Sequence, residues 1–433
     1  MESSFTPQNE TRKPNVFLTS QASARRNSYQ MKHHQILVVG GGNAGLSVAS
    51  KLLLKNPKLD IAIIEPSEKH YYQPAWTLVG AGTFDVNDTI KNEGDFIPKG
   101  TTWIRDAAAS FSPDTNTLTC ASGESYTYDA LIVVPGIQLD WKKIEGLAET
   151  LGKNDVTTNY QFNTAPYTWE LIKNFKGGTA VFTNPPTPVK CGGAPHKIMW
   201  LACDYWRKKG ILDKCDVHFV SGGSILFGVP EYRKTLEEKV KEYGVKVHLK
   251  QTITRIDGPG HKIWFEGPAD DTVGGAKEKT MMEFDMLHVV PPQSAPDFVK
   301  QSLLAEAASP LGWIEVNKNT FQHTRYANVF SCGDVCNAPA SRTGAAIRKQ
   351  APVMVDHILA FLNGTKATSS YDGYSACPIP TEYGKLMLAE FDYDNKPKMT
   401  FPFDQAKPRW TMWLLKKYVL PWLYWHRILQ GKA

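Results

Sequence analysis

No stretch of the sequence approaches the ~20 consecutive apolar residues needed to cross a bilayer as a helix, so the chain is expected to be soluble or to lie on a membrane surface. It has no CxxC pair, and its histidines form no ligand-spaced cluster with cysteines, so no metal site is expected. The 7 cysteines, odd in number and irregularly spaced over 433 residues, argue against a secreted disulfide framework and for buried or reactive thiols. No Lys/Arg-rich run accompanies the formal charge of +6, so a nucleic-acid partner is not expected; the mild excess fits an anionic substrate or a membrane surface. Acids are scarce in residues 1–34, which are Ser/Thr-rich and contain Arg12, Lys13, Arg25, Arg26 and Lys32 against only Glu2 and Glu10. That composition resembles a mitochondrial presequence; Pro7 and Pro14 interrupt an amphipathic helix and leave an unstructured tail as the alternative.

What is present is an α/β pattern with 42% hydrophobic and 21% charged residues, enough for two or three compact domains. Residues 35–39, 44–54 and 61–64 read as a strand, a helix and a second strand ending at Glu65, one βαβ unit. A further strand ends at Val134. Residues 179–183, 195–206, 217–220 and 231–243 repeat the strand–helix alternation, and residues 327–330 read as a strand returning to the first sheet, followed by a helix over 344–362. The expected organisation is a tail (1–34), a discontinuous dinucleotide domain (35–159 and 291–370), a second Rossmann-like domain (160–290) and a C-terminal subdomain (371–433).

Gly40, Gly42 and Gly45 form a GxGxxG directly between strand and helix, with Glu65 twenty residues beyond. Such glycines let backbone amides approach a pyrophosphate at a helix N-terminus, and the acid accepts from a ribose. Gly333-Asp334 ends the returning strand, and Arg342, Thr343, Gly344 and Ala345 open the next helix. A carboxylate there suits a ribityl hydroxyl, and the positive helix end suits a reduced flavin ring, which favours FAD. The second domain has no equivalent cradle: residues 183–193 carry three prolines without amide hydrogens and a cysteine, so nicotinamide is not expected as the donor.

Cys191 follows Lys190 and precedes a helix start marked by Pro195, features that favour a thiolate. Cys377 falls in what reads as a loop. For each, an inert buried thiol is the alternative reading. Cys332 and Cys336 flank Gly333-Asp334 as a competing pair, with Cys332 expected to point into the core and Cys336 away from it. Residues 410–429 mix Trp413, Leu414, Trp422 and Trp425 with Lys416, Lys417 and Arg427, a composition suited to lying in a headgroup region or to packing on the first domain. Pro421 is expected to break this segment into two short pieces.

Long strings of this sequence resemble one family, the sulfide:quinone oxidoreductases of the mitochondrial eukaryotic type, within the FAD-dependent pyridine nucleotide-disulfide oxidoreductase-like superfamily. The match runs from about Gln35 onward. It rests on the glycine loop, on Glu65 to Pro74 with Trp76 to Gly82, on Thr187 to Cys191, on Tyr371 to Tyr374 before Cys377-Pro378, and on Ala389 to Tyr393 before Phe401 to Asp404. The resemblance implies a glutathione reductase-like fold with a membrane-associating C-terminus. It implies FAD contacts from Gly42, Asn43, Glu65, Gln73, Ala108, Asp334, Arg342, Thr343, Gly344 and Ala345. It implies that Cys191 and Cys377 are the redox pair, opened by hydrogen sulfide so that Cys377 carries the persulfide and Cys191 faces the flavin. Ubiquinone would take the electrons, and glutathione, sulfite or a similar acceptor the sulfur, at the mitochondrial inner membrane. NADH:quinone oxidoreduction on the same fold and a non-catalytic redox sensor are the alternatives. The chain ends at Ala433, short of the family's usual extension, and Cys332 and Cys336 lie outside its pattern.

Overall fold

Residues 31–269 and 277–433 are described by a computed structural model; the expected presequence falls almost wholly outside them. The run Ile36-Leu37-Val38-Val39 is at most 3% exposed, as a strand covered on both faces by helices must be. It lies in the strand Lys32–Val39, which pairs in parallel with Ile61–Ile64 on one side and with Ser125–Val133 on the other. Thr101–Ile104 extends the parallel sheet beyond Ile61–Ile64. The short strand Val329–Phe330 returns to pair with Leu131 and Ile132, so two distant parts of the chain build one seven-stranded sheet. The helices Asn43–Lys55 and Gly344–Leu362 pack together, bringing both N-termini to the carboxyl ends of the strands.

A second, five-stranded parallel sheet has the order Val156–Thr157, Met286–His288, Gly178–Asn184, Cys215–Ser221, Lys246–Leu249. The chain has therefore entered this sheet by Val156. The helix Ala194–Lys208 buries Ile198 through Cys203 completely against it. The α/β architecture with two Rossmann-like sheets is thus present, each sheet covered by its own helices.

After Leu362 the chain forms the antiparallel hairpin Ser375–Glu382 and Lys385–Phe391. Cys377 accordingly stands on a strand, not in the expected loop. The hairpin has no separate core: Ile379, Leu386, Met387 and Ala389 share one with Trp200 and Leu201 of the second domain. The final helical run, residues 410–428, alternates α-helical turns with π-helical turns at Leu415–Val419 and Tyr424–Ile428. It passes through Pro421 without breaking, contrary to the sequence expectation. Proline lacks the amide hydrogen and its ring crowds the preceding turn; the wider π turn before Pro421 accommodates both defects. Met412 and Trp413 enter the second domain's core, whereas Tyr424, Trp425 and Leu429 enter the first's. Trp410, Leu414, Tyr418 and Trp422 stay 40–64% exposed along the opposite face. Among the described residues no helix is long and apolar enough to cross a membrane.

His288, fully buried at the end of a central strand, accepts from the Asn159 amide through Nε2 at 3.0 Å. Burial lowers its pKa from 6.5 to about 3, so it is neutral when folded and takes a proton when unfolded. Its contribution to stability is complete above pH 6.5 and lost as pH falls toward 3, at about 1.4 kcal/mol per pH unit. His288→Gln should reduce the acid slope of unfolding free energy by that amount between pH 6 and 4 in urea titrations; an unchanged slope would mean that the ring is already protonated in the folded state.

Candidate active site

A cleft of about 580 Å³ opens where the two helix N-termini, the cysteine loop and the C-terminal run converge. At one end the strand Lys32–Val39 turns through Gly40, whose φ of +103° and approach to the Val134 carbonyl leave no place for a side chain. A Cβ on Gly45 would lie 1.8 Å from the Gly40 carbonyl oxygen, so the third glycine is fixed by loop-to-helix packing. A Cβ on Gly42 would meet nothing, because its α-carbon faces the open cleft. Glu65 accepts from the Gly41 amide at 2.8 Å and from the Ser67 amide at 2.7 Å, which fixes the acid beside the loop. Asn43, Gln73, Asp334, Arg342, Thr343, Gly344 and Ala345 also line the cleft, as does Gly40, while Gly45 lies behind the loop. Ala108 sits on the strand Ala108–Ser112, paired with Cys120, and is not part of the cleft wall.

At the second helix N-terminus the Thr343 hydroxyl accepts from the Ala346 amide at 3.2 Å and caps the helix. Arg342 donates to the Asp334 carbonyl at 2.8 Å and lies 4.0 Å from the Trp313 ring centre. Burial raises the Asp334 carboxyl, opposed by the charges of Arg342 and Lys190.

The sulfur centre lies against this end. Cys191 has φ +55°, the left-handed region that costs a side-chain-bearing residue roughly 1–2 kcal/mol. The conformation is held by its amide donating to the Arg342 carbonyl at 2.6 Å and its carbonyl accepting from Ala194 at 2.7 Å. Its Sγ lies 3.2 Å from Cys377 Sγ, both thiols being free. Gly193 is necessary here, since a Cβ on it would sit 2.7 Å from the Cys377 sulfur.

The two thiols titrate as one unit. Cys191 is driven well below the usual thiol range, first by the hydrogen bond from Cys377 and then by the Lys197 ammonium, with Lys416 adding charge. Cys377 is driven well above it, because it donates to Cys191 and is buried. The pair therefore holds one thiolate, on Cys191, and one thiol, on Cys377. Lys197 Nζ stands 2.9 Å from Cys191 Sγ and, although 3% exposed, stays charged because the thiolate compensates its burial. Lys416 is 5% exposed and lowered to about 7 by burial and by the charge of Lys197.

Lys190, adjacent in sequence, does not hold the thiolate. Its Nζ donates to Gln73 Oε1 and lies between the rings of Trp76 and Tyr160, at 5.7 and 5.6 Å from their centres. Burial lowers it to about 8. Lys197 and Lys416 escaped the sequence reading. The available signal for Lys197 was a lysine immediately before a wholly apolar helical segment, Ile198 to Ala202. The competing cysteines are arranged otherwise than expected: Cys336 does not point away from the core but is 1% exposed, as is Cys332, and donates to the Gly333 carbonyl at 3.3 Å. Burial raises both thiols, Cys336 to about 11.

A family model described as pyridine nucleotide-disulphide oxidoreductase matches residues 34–169. The mitochondrial sulfide:quinone oxidoreductase of Dictyostelium discoideum is 45% identical over 420 residues, covering 96% of this chain and 91% of that protein. The protein of the same name from Mus musculus is 40% identical over 399 residues, covering 92% and 87%. The solved structure of the sulfide:quinone oxidoreductase from the hyperthermophilic bacterium Aquifex aeolicus superposes with a TM-score of 0.76 at 20% identity over 92% of each chain, a likeness of fold.

The geometry makes the two lysines separable. In the reduced protein, Lys197→Met should move the pH midpoint of Cys191 alkylation by iodoacetamide upward by about 1–3 pH units, and Lys190→Met should leave it near the original value. Equal shifts would mean that the thiolate senses only the general charge of the cleft.

Proposed function

The chain belongs to the sulfide:quinone oxidoreductase family, and from that premise we propose that it oxidises hydrogen sulfide through a Cys191–Cys377 disulfide and delivers two electrons to ubiquinone. The observation that carries this reading is the sulfur contact of 3.2 Å at the wall of a cleft shared with the glycine loop and the second helix N-terminus. The residues of the cleft fit an FAD. Gly42 presents bare backbone to it, and the Asn159 carboxamide, 8% exposed, lines it with neither side-chain atom hydrogen-bonded among the described residues. Gly40, Gly42 and Asn43 would hold the pyrophosphate, Glu65 a ribose, and Asp334 with the helix at Gly344 the flavin end. Bound FAD supplies a two-electron acceptor for the thiol pair and a donor to quinone.

The protein's own steps follow from the charge arrangement. Hydrosulfide attacks Cys377 Sγ of the disulfide; a sulfur–sulfur bond forms to Cys377, the Cys191–Cys377 bond breaks, and Cys191 leaves as a thiolate. The asymmetry of the pair supports this direction, since Lys197 and Lys416 stabilise negative charge on Cys191 and so make it the better leaving group. The acceptor, glutathione or sulfite, attacks the outer sulfur of the Cys377 persulfide and releases Cys377 as a thiolate; Cys377 and Cys191 then close the disulfide and give up two electrons, for which bound FAD would be the acceptor. The cations of the cleft favour entry of anions such as hydrosulfide and sulfite.

The same reading assigns the chain to the mitochondrion, where its named relatives are, and to the inner-membrane surface. Trp410, Leu414, Tyr418 and Trp422 recur every four residues on the outer face of the C-terminal run, an apolar stripe suited to the headgroup boundary.

Two experiments test the proposal. Anaerobic sulfide should bleach the flavin absorbance of the purified protein, a quinone analogue should restore it, and NADH should do nothing. Cys191→Ser should abolish bleaching while FAD stays bound; bleaching by NADH alone sinks the reading. Replacing Trp410, Leu414, Tyr418 and Trp422 together with serine should stop co-flotation with inner-membrane-like liposomes and leave sulfide bleaching intact. This is cleaner than truncation, which would also remove the buried Tyr424 and Trp425.

A further inference from the structure

Beside Gly41 the cleft wall holds a carboxylate that the steps above do not use. Glu93 is 2% exposed and its two oxygens differ. Oε2 bonds His70 Nδ1 at 2.7 Å, whereas Oε1 has no hydrogen-bond partner among the described residues. His70, 3% exposed, uses Nε2 to bond the Tyr424 hydroxyl at 2.6 Å. With the ring proton on Nδ1, Tyr424 donates to His70, His70 donates to Glu93, and one carboxylate oxygen is left over.

That oxygen is aimed at the phosphate loop. A Cβ built on Gly41 would lie 2.5 Å from Glu93 Oε1 and 2.7 Å from Glu65 Cγ, so both acidic side chains pack against the loop at Gly41. Both line the cleft. A buried acceptor without a donor bears its full desolvation cost. The donors that a dinucleotide offers beside a strand-end acid are the hydroxyls of its ribose.

We propose that Glu93 is a second acidic contact to the adenosine ribose of the bound dinucleotide, and that Tyr424, acting through His70, is the residue that positions it. The inference rests on the FAD reading above and extends it to residues outside the glycine motif. It also gives the C-terminal run a part in cofactor retention. The end of that run is tied to the first helix by Ser50 Oγ donating to the Leu429 carbonyl at 2.7 Å and by Lys51 Nζ donating to Gly431 and Ala433 carbonyls at 3.0 and 2.9 Å.

The test is the rate of FAD release from the purified holoenzyme at 25 °C, followed by flavin fluorescence after dilution, with circular dichroism and the Cys191 alkylation profile as checks on fold. If the wild-type protein purifies without FAD, the underlying reading fails and this one with it. If it holds FAD, Glu93→Ala should speed release at least ~10-fold, with Glu93→Gln intermediate because the amide keeps one acceptor. Tyr424→Phe should speed release by a smaller factor, and adding it to Glu93→Ala should bring no further increase. Release at the wild-type rate in the Glu93 variants overturns the proposal and leaves the oxygen to a buried water. Faster release accompanied by an altered alkylation profile also overturns it, as general damage to the site. Should Glu93→Ala not fold, Tyr424→Phe decides alone: unchanged release refutes the positioning role.

Discussion

Two sulfur atoms 3.2 Å apart, supplied by residues 186 positions apart, lie under the field of a buried ammonium. Most of the molecule serves that contact. The second sheet and its helix carry Cys191 and Lys197, the hairpin brings Cys377, and the Arg342 carbonyl, from the segment that opens the helix Gly344–Leu362, anchors the Cys191 amide. Because Arg342 also lines the cleft, a single backbone hydrogen bond fixes Cys191 relative to the segment that opens the second helix.

The electrostatics are arranged in opposition. Lys190, Lys197 and Lys416 are drawn into one cleft, where burial disfavours each charge. Only Lys197 has a thiolate in contact, and only Lys197 is raised; Lys190 and Lys416 fall to about 8 and about 7. A buried ion pair of this kind is a poor source of stability. Its effect is to set the two sulfurs apart, with negative charge favoured on Cys191 and disfavoured on Cys377.

Much of the fold was legible because it is local. The glycine loop, Glu65 and the bounds of the helix Gly344–Leu362 follow from patterns spanning a few turns. What escaped detection depended on backbone geometry or on distance in sequence. The left-handed backbone at Cys191 turns its side chain from Lys190 toward Lys197, which no propensity encodes. The Cys377 segment read as a loop because it shows no helical or strand period of its own, and it contains Pro378 and Pro380. In a two-stranded hairpin, however, prolines two residues apart share one edge and cost no ladder bonds there. Pro421 misled for a related reason, its helix being rescued by a π turn. The bond between His70 and Tyr424 spans 354 residues and leaves no periodic trace.

The separation of the two cysteines also orders events during synthesis. At ordinary translation rates Cys191 leaves the ribosome roughly 10–40 s before Cys377. In that interval its largest source of acidity, the hydrogen bond from Cys377, does not exist. The nascent polypeptide thus lacks that contribution to the acidity of Cys191 until the hairpin docks. A chain interrupted before residue 377 lacks the second sulfur of the pair, so the contact of 3.2 Å is a property of the completed chain alone.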